Sequence, residues 1–168
     1  ASIERGFDTK GRVDLTSLGF VSIDAAKTQD IDDALYAETT AEGWTLYVAI
    51  ADPSDYIEPG SKLDAAIAER ATSVYFHGDV VPMMPEVLAQ QTCALAEGER
   101  RPALVLKSEI NNDGEITSFE FLEAIVQSHG KLSYYAVDRY LSGNNEDPVM
   151  HTSAVEALYQ LYRVLRER

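Results

Sequence analysis

Cysteine, basic residues and long apolar runs are all scarce in this sequence, and each scarcity excludes a class of protein. The 168 residues include a single cysteine, Cys93, so no internal disulfide is possible and a reducing compartment is indicated. No apolar run approaches the roughly 20 residues of a membrane-spanning helix, and no N-terminal signal pattern is visible. These features predict a soluble, globular, cytoplasmic protein without a membrane partner.

The scarcity of positive charge argues against simple nucleic-acid binding. Only 14 lysines and arginines accompany 28 aspartates and glutamates, which gives a formal net charge of −14. Phosphate backbones are usually met by basic surfaces, so this chain taken alone is expected to repel RNA and DNA. A nucleic-acid function would require acidic residues concentrated in a metal site, or a basic surface in segments absent from this sequence.

One acidic stretch is the most informative feature that the sequence does contain. Its four carboxylates, Asp24, Asp30, Asp32 and Asp33, lie within ten residues and between apolar segments typical of buried strands. Like charges held close together are relieved by protonation, by opposite charges or by a bound cation, and only Lys27 is near in sequence. We therefore predict a hard divalent cation held by carboxylate oxygens, Mg²⁺ or alternatively Mn²⁺.

The order of apolar and turn-forming segments predicts an α+β fold, with a mixed or antiparallel sheet flanked by helices. The predicted strands are residues 19–23, 34–39, 44–51, 103–110 and 115–127. The predicted helices are residues 62–72, 133–141 and a final helix from Ser153, with a short helix from Pro85 towards Cys93. Asp113-Gly114 indicates a hairpin, the continuous apolar run at 44–51 indicates a strand covered on both faces, and Pro82 with Pro85 indicates an irregular loop.

Three pieces of sequence, in one order, carry a resemblance to a known family. They are residues 23–24 with 30–34, residues 44–52, and residues 72–76 with 81–88. Together they resemble the catalytic (RNB) domain of the ribonuclease II and ribonuclease R family. The resemblance extends from about Asp14 to the C-terminus, and three ordered motifs are far more specific than a lone Asp-x-Asp-Asp.

The resemblance implies a processive exoribonuclease that uses Mg²⁺, degrades single-stranded RNA from its 3′ end and releases 5′ nucleoside monophosphates. DNA is not an expected partner. The family's catalytic domain continues beyond this chain and supplies a further arginine and glutamate there. Residues 19–168 are therefore expected to be the first part of that domain, with residues 1–18 as an N-terminal arm or linker. Alone, this piece is expected to hold metal weakly and to be inactive.

The same resemblance assigns roles to individual residues. Asp24 and Asp33 would be direct metal ligands, and Asp30 a ligand directly or through water. Asp32 would be the carboxylate most critical to turnover, acting with Asp30 in catalysis, and we assign it to positioning the attacking water or a second metal ion. Tyr75 corresponds to the tyrosine that stacks on the base at the RNA 3′ end, where an aromatic face accepts any base.

Two other classes of function remain open from the residues alone. A calcium loop of the EF-hand type is disfavoured, because Gln29 and Leu35 occupy the positions, counted from Asp24, where that loop has glycine and glutamate. A different Mg²⁺-dependent enzyme acting on phosphates, or a noncatalytic acidic metal-binding or interaction module, remains possible. Asp52 is either a supporting partner of the metal site or a turn-forming residue.

Overall fold

A six-stranded mixed sheet flanked by helices forms the body of the protein, in a computed structural model that describes residues 7–77, 79–144 and 152–168. The strands are β1 (Val13–Asp14), β2 (Phe20–Asp24), β3 (Asp33–Thr39), β4 (Gly43–Ala51), β5 (Val74–Phe76), β6 (Asp79–Val81), β7 (Arg100–Asn111) and β8 (Ile116–Ser133). The α-helices are α1 (Lys62–Arg70), α2 (Tyr134–Leu141) and α3 (Thr152–Glu167). A 3₁₀-helix covers Pro53–Asp55 and a π-helix covers Val87–Cys93. The predicted α+β class is confirmed.

The long strand β8 determines the topology of the large sheet. Its first part pairs antiparallel with β7, and its last part pairs parallel with β2, from Phe20 opposite Ser128 to Asp24 opposite Ser133. The strand order is β1-β8-β2-β3-β4-β7, so the additional β7–β8 pairing closes a ring of five paired strands. The parallel pairing of β2 with β8 brings the ends of these two strands next to each other.

The main core lies on one face of the sheet, where alternate strand residues point inward. Phe20, Ala34, Ala49 and Val105 are completely buried in this core, and Ile31 is nearly so. A smaller cluster on the opposite side packs α2 and α3 against β2 and β8. Within the described ranges, no helix has the length and apolar character needed to cross a membrane.

Most predicted elements are present, and their capping residues explain the bounds. Ser61 accepts a hydrogen bond from the Asp64 amide at the start of α1, and Ser133 accepts one from the Ala136 amide at the start of α2. The turn before Gly114 joins β7 to β8 as predicted. The predicted final helix is present as α3, and Ser153, its predicted first residue, is the second residue of this helix. Residues 145–151 lie outside the described ranges.

One expectation about local structure is wrong, and one hairpin was not predicted. Residues 82–85, with the two prolines, form no helix or strand, as expected. The hairpin that precedes them was not predicted: β5 and β6 pair antiparallel, with Tyr75 opposite Val80. Strand β4 is fully covered on only one face. Ala49 is buried, whereas Ile50 on the opposite face is 46% exposed because the helices cover only part of that face.

The N-terminal region makes specific contacts with the sheet. Val13 and Asp14 form β1 and pair in parallel with Ala124 and Ile125 of β8. The Leu15 amide donates a further hydrogen bond to the Ile125 carbonyl at 2.9 Å. The division of the chain at residue 18 into an arm and a domain stays a prediction.

Candidate functional site

The acidic residues lie where two neighbouring antiparallel strands are connected. Asp24 is the last residue of β2, Asp33 is the first residue of β3, and Asp30 and Asp32 lie in the segment between them. Strands β2 and β3 are paired through Val21 and Leu35, so the two strand ends lie side by side. The sheet therefore brings Asp24 and Asp33 together although nine positions separate them in sequence.

Ile31 fixes the orientation of the carboxylates on either side of it. Its side chain is 3% exposed and belongs to the main core, and its carbonyl accepts a hydrogen bond from the Leu95 amide at 2.8 Å. The next carbonyl, that of Asp32, accepts a hydrogen bond from the Ala51 amide at 2.8 Å. On either side of the buried Ile31, Asp30 is partly exposed and Asp32 is exposed.

All four aspartates and Tyr75 line one cavity of about 490 Å³, which we call the aspartate cavity. The other residues lining it are Lys27, Thr28, Gln29, Val80, Pro82, Glu86 and Gln90. In the described structure, five carboxylates and one lysine therefore face the same space. The sequence-predicted site residues are all brought together at this place.

The negative charges in the cavity affect one another. Loss of hydration raises the pKa of Asp32, and the nearby charges of Asp30, Asp33 and Asp24 raise it further. Burial also raises the pKa of Asp24; Asp33 adds to this shift and the positive charge of Lys131 opposes it. A bound cation would relieve this repulsion and favour the ionised carboxylates.

The chemistry of the donors fits a hard divalent cation. The cavity offers carboxylate oxygens, the ligands that Mg²⁺ and Mn²⁺ prefer. The Oδ1 atom of Asp30 is buried and has no hydrogen-bond partner among the described residues, which leaves one oxygen available to a ligand. Across the described ranges, no three His, Cys, Asp or Glu side chains already form a metal-binding group. The aspartates thus share a cavity without converging on one point.

Tyr75 forms the aromatic wall of the aspartate cavity. It lies on the short strand β5, opposite Val80 of β6, and its side chain is 74% exposed. A large exposed aromatic ring is not needed for the core, since the core clusters do not include it. The ring is available to stack on a planar ligand that enters the cavity.

Sequence reasoning missed three polar residues near the acidic segment. Glu86 and Gln90 line the cavity from the π-helix region, and Lys131 of β8 donates hydrogen bonds to the carbonyls of Ala26 and Thr28. Glu86 lies in the third motif of the family resemblance, residues 72–76 with 81–88, and this motif could have pointed to it. Lys131 lies about 100 residues from the acidic stretch, and only the pairing of β8 with β2 reveals it.

Asp52 lies outside this site. Its Oδ2 pairs with Nη2 of Arg12 at 2.7 Å, and its Oδ1 accepts hydrogen bonds from Ser54 at the start of the 3₁₀-helix. Asp52 is not among the residues lining the aspartate cavity. The turn-forming interpretation of Asp52 is therefore confirmed.

Comparison with known proteins identifies the family to which this fold belongs. The model of the RNB domain matches residues 12–168. Ribonuclease R of Vibrio parahaemolyticus is 40% identical over 163 residues, covering 94% of this chain and 19% of that protein. Exoribonuclease 2 of Proteus mirabilis is 40% identical over 163 residues, covering 96% of this chain and 25% of that protein.

A solved structure shows the same fold. Ribonuclease R of Mycoplasma genitalium, in complex with ribose-methylated single-stranded RNA, matches with a TM-score of 0.92 and 32% identity, over 99% of this chain and 27% of that one. The matched part of that structure has the same α+β fold as this chain. This chain belongs to the RNB domain family, which confirms the resemblance carried by the three motifs. It spans only about a fifth to a quarter of the length of the curated relatives above.

Proposed function

We propose that this chain carries the metal-binding part of a Mg²⁺-dependent 3′-to-5′ exoribonuclease, which hydrolyses RNA processively to 5′ nucleoside monophosphates. The observation that carries the proposal is the aspartate cavity, where Asp24, Asp30, Asp32 and Asp33 face an exposed tyrosine. The names of the relatives, ribonuclease R and exoribonuclease 2, support the same activity. The chain covers only part of each relative, so their activity is carried over as a proposal.

Three of the aspartates are proposed to hold the cation. Asp24 and Asp33 are placed side by side by the pairing of β2 with β3, and Asp30 contributes the buried oxygen that lacks a partner in the described structure. A bound Mg²⁺ would screen the charge of the phosphodiester and lower the pKa of water. Mn²⁺ has similar ligand preferences and is proposed as a substitute.

Asp32 is proposed to act on the attacking water, together with Asp30. Hydrolysis forms a bond between the water oxygen and phosphorus and breaks the bond from phosphorus to the 3′ oxygen of the neighbouring nucleotide. The released nucleotide keeps the 5′ phosphate, and the shortened RNA takes a proton on its 3′ oxygen. Asp32 is proposed to accept the proton that the water loses, because its carboxylate lines the same cavity as the three metal-binding aspartates.

Tyr75 is proposed to hold the RNA 3′ end. An aromatic ring stacks on any of the four bases, worth roughly 1 to 3 kcal/mol per base, so it positions the terminal nucleotide without reading its sequence. Stacking also adds affinity that the charge of the chain does not provide, since the net charge of −14 repels phosphates. Single-stranded RNA is the proposed partner, DNA is not, and the cytoplasm is the proposed location.

The test is a chimera in which this chain replaces the matching segment of Mycoplasma genitalium ribonuclease R, with which it shares its fold. Single-stranded RNA labelled at phosphates throughout its length is incubated with Mg²⁺, and the products are separated by length. We expect loss of full-length RNA, release of 5′ monophosphates and few intermediate lengths. The isolated 168-residue chain is expected to be inactive under the same conditions. A folded chimera that leaves the RNA intact would contradict the proposal.

A further inference from the structure

Lys131 joins the acidic segment to a distant strand. It lies near the end of β8, opposite Ser22 of β2, and its Nζ donates hydrogen bonds to the carbonyl of Thr28 and, at 3.5 Å, to that of Ala26. Both acceptors belong to the loop between Asp24 and Asp30. One half-buried side chain therefore holds the middle of that loop.

The rest of the acidic segment is held by backbone hydrogen bonds. Ile31 is held through the Leu95 amide and Asp32 through the Ala51 amide, each at 2.8 Å. Inside the loop, the Thr28 amide donates to the Ala25 carbonyl at 3.0 Å and closes a turn. Lys131 is thus the side chain that decides how closely this turn approaches the end of β2, where Asp24 lies.

The backbone around Lys131 is itself fixed. Its amide donates to Oε2 of Glu97 at 3.2 Å, and Glu97 forms a bridge to Ser128 on the same strand. The Gly98 amide adds a hydrogen bond to the Ser128 carbonyl at 2.8 Å. The ammonium group therefore extends from a rigid base, as a positioning role requires.

We propose that Lys131 is a positioning residue, which fixes the loop of residues 25–30 so that Asp24 and Asp30 together face a cation in the aspartate cavity. The inference rests on the proposed function for its cation. Lys131 acts through two carbonyl groups and does not touch the metal or the RNA. Its ammonium group also opposes the mutual repulsion that Asp24 experiences from Asp33.

The electrostatic and positioning roles of Lys131 predict opposite results. If Lys131 were only a positive charge near the cavity, removing it would strengthen cation binding, because like charges repel. If it positions the loop, removing it separates Asp24 from Asp30 and weakens cation binding. The sign of the change in affinity therefore distinguishes the two.

The test measures Mn²⁺ affinity of the 168-residue chain by electron paramagnetic resonance. Lys131→Met, of similar length and without charge, is compared with Lys131→Arg and with the control Lys62→Met on the exposed side of α1. We expect Lys131→Met to weaken Mn²⁺ binding by about tenfold, as is typical when a group supporting a metal ligand is lost. Lys131→Arg, which keeps the charge and the donors, should stay within about threefold of the parent. Unchanged or tighter binding by Lys131→Met would overturn the proposal.

A second measurement needs no metal. Hydrogen exchange of the Thr28 amide, measured by nuclear magnetic resonance, is expected to be about tenfold faster in Lys131→Met, while the Tyr47 amide in central strand β4 is unchanged. Equal exchange of the Thr28 amide in parent and variant would contradict the proposal that Lys131 holds this loop. Loss of protection at both amides would contradict it as well. If the parent binds no Mn²⁺, the proposed function fails, whereas the exchange of Thr28 still decides whether Lys131 holds the loop.

Discussion

Asp32 combines three properties expected of a group that acts on water beside a phosphate. Its backbone is fixed through the Ala51 amide, its side chain faces the aspartate cavity, and its pKa is raised by burial and then by three neighbouring carboxylates. Asparagine has the same shape as aspartate but accepts no proton and carries no charge. Substituting it therefore tests chemistry with little effect on packing.

In the chimera, Asp32→Asn should lower the rate of RNA hydrolysis by at least about 100-fold, because it removes a proton acceptor and a negative charge from the site. RNA binding should persist. Single-turnover hydrolysis and a filter-binding assay measure the two separately. Asp113→Asn, in the exposed turn before Gly114, is the matched control and should keep the parent rate. An Asp32→Asn chimera as fast as the parent would remove Asp32 from the chemistry.

Tyr75→Ala should weaken binding of the RNA 3′ end by about tenfold to 100-fold, because a stack worth roughly 1 to 3 kcal/mol is lost. It should also change the length of the final product. Tyr75→Phe keeps the ring and should behave like the parent. Phe76→Ala removes the adjacent exposed ring, which does not line the cavity, and serves as the control. Identical product lengths and affinities for Tyr75→Ala and the parent would contradict the stacking role.

The pair Arg12–Asp52 gives a prediction about acid stability. Burial by itself would raise the pKa of Asp52, but hydrogen bonds from Ser54 and Arg12 outweigh it, so this pKa lies below its ordinary value of 3.8. Because the pKa of Asp52 is lower in the folded protein than in the unfolded chain, ionised Asp52 stabilises the fold at pH values above the unfolded-state pKa. This stabilisation is lost as the pH falls through the folded-state pKa.

Asp52→Asn should therefore lower the free energy of unfolding at pH 7 by about 2 kcal/mol, because Arg12 is left with a weaker partner. The difference from the parent should shrink as the pH is lowered below 3.8. Urea denaturation at a series of pH values measures both quantities, with Asp138→Asn on the exposed side of α2 as the control. A difference that is constant with pH would show that the charge of Asp52 does not stabilise the fold.

At the scale of single residues, the sequence predicts those site residues that are close together in the chain or that lie in a motif. Asp24 to Asp33 stand out because their charges interrupt apolar segments. Lys131 has no such signal, since its contact with Thr28 depends on a strand pairing across about 100 residues. Its role could not be predicted from local pattern.

At the scale of elements, strand β4 depends on a glycine at its first residue. Gly43 has φ of +148°, and a Cβ atom added there would lie 2.0 Å from the carbonyl oxygen of Ile110 on β7. The obstacle is backbone, which cannot rotate away as a side chain can. The close approach of β4 to β7 thus requires glycine at this position.

Gly43→Ala should therefore destabilise the protein by more than about 3 kcal/mol, because β4 and β7 must separate. Gly98→Ala is the matched control: Gly98 also has a positive φ, of +79°, but an added Cβ would meet nothing within 4 Å. It should cost only about 1 to 2 kcal/mol of backbone strain. Thermal unfolding of both variants makes the comparison. Equal losses of stability in the two variants would show that the contact with the Ile110 carbonyl does not destabilise Gly43→Ala.

Elements were predictable where turn chemistry and periodicity agreed. The β7–β8 hairpin has Asp113-Gly114 at its turn, and α2 has Ser133 as its cap. The β5–β6 hairpin was missed because its strands have only three residues each, and the nearby prolines dominated the pattern. The partial exposure of β4 could not be predicted, since its apolar run does not say which face a helix covers.

At the scale of the whole molecule, the charge and the cavity have to be considered together. The five carboxylates of the aspartate cavity are a small part of the 28 acidic residues, so most of the negative charge lies elsewhere. A cation in the cavity would therefore let a phosphate approach locally but would not make the chain attractive to RNA in general. The family could be predicted from three ordered motifs, whereas the closure of the sheet by β8 could not.

Whether a cation occupies the aspartate cavity is decided most directly by anomalous X-ray scattering from crystals of the chain soaked in Mn²⁺. We predict a peak inside the cavity, with oxygen atoms from at least two of Asp24, Asp30 and Asp33 as ligands. The peak should disappear in the double variant Asp24→Asn, Asp33→Asn. A cavity without a Mn²⁺ peak, or with Mn²⁺ bound only at sites away from these three aspartates, would contradict the proposed metal site.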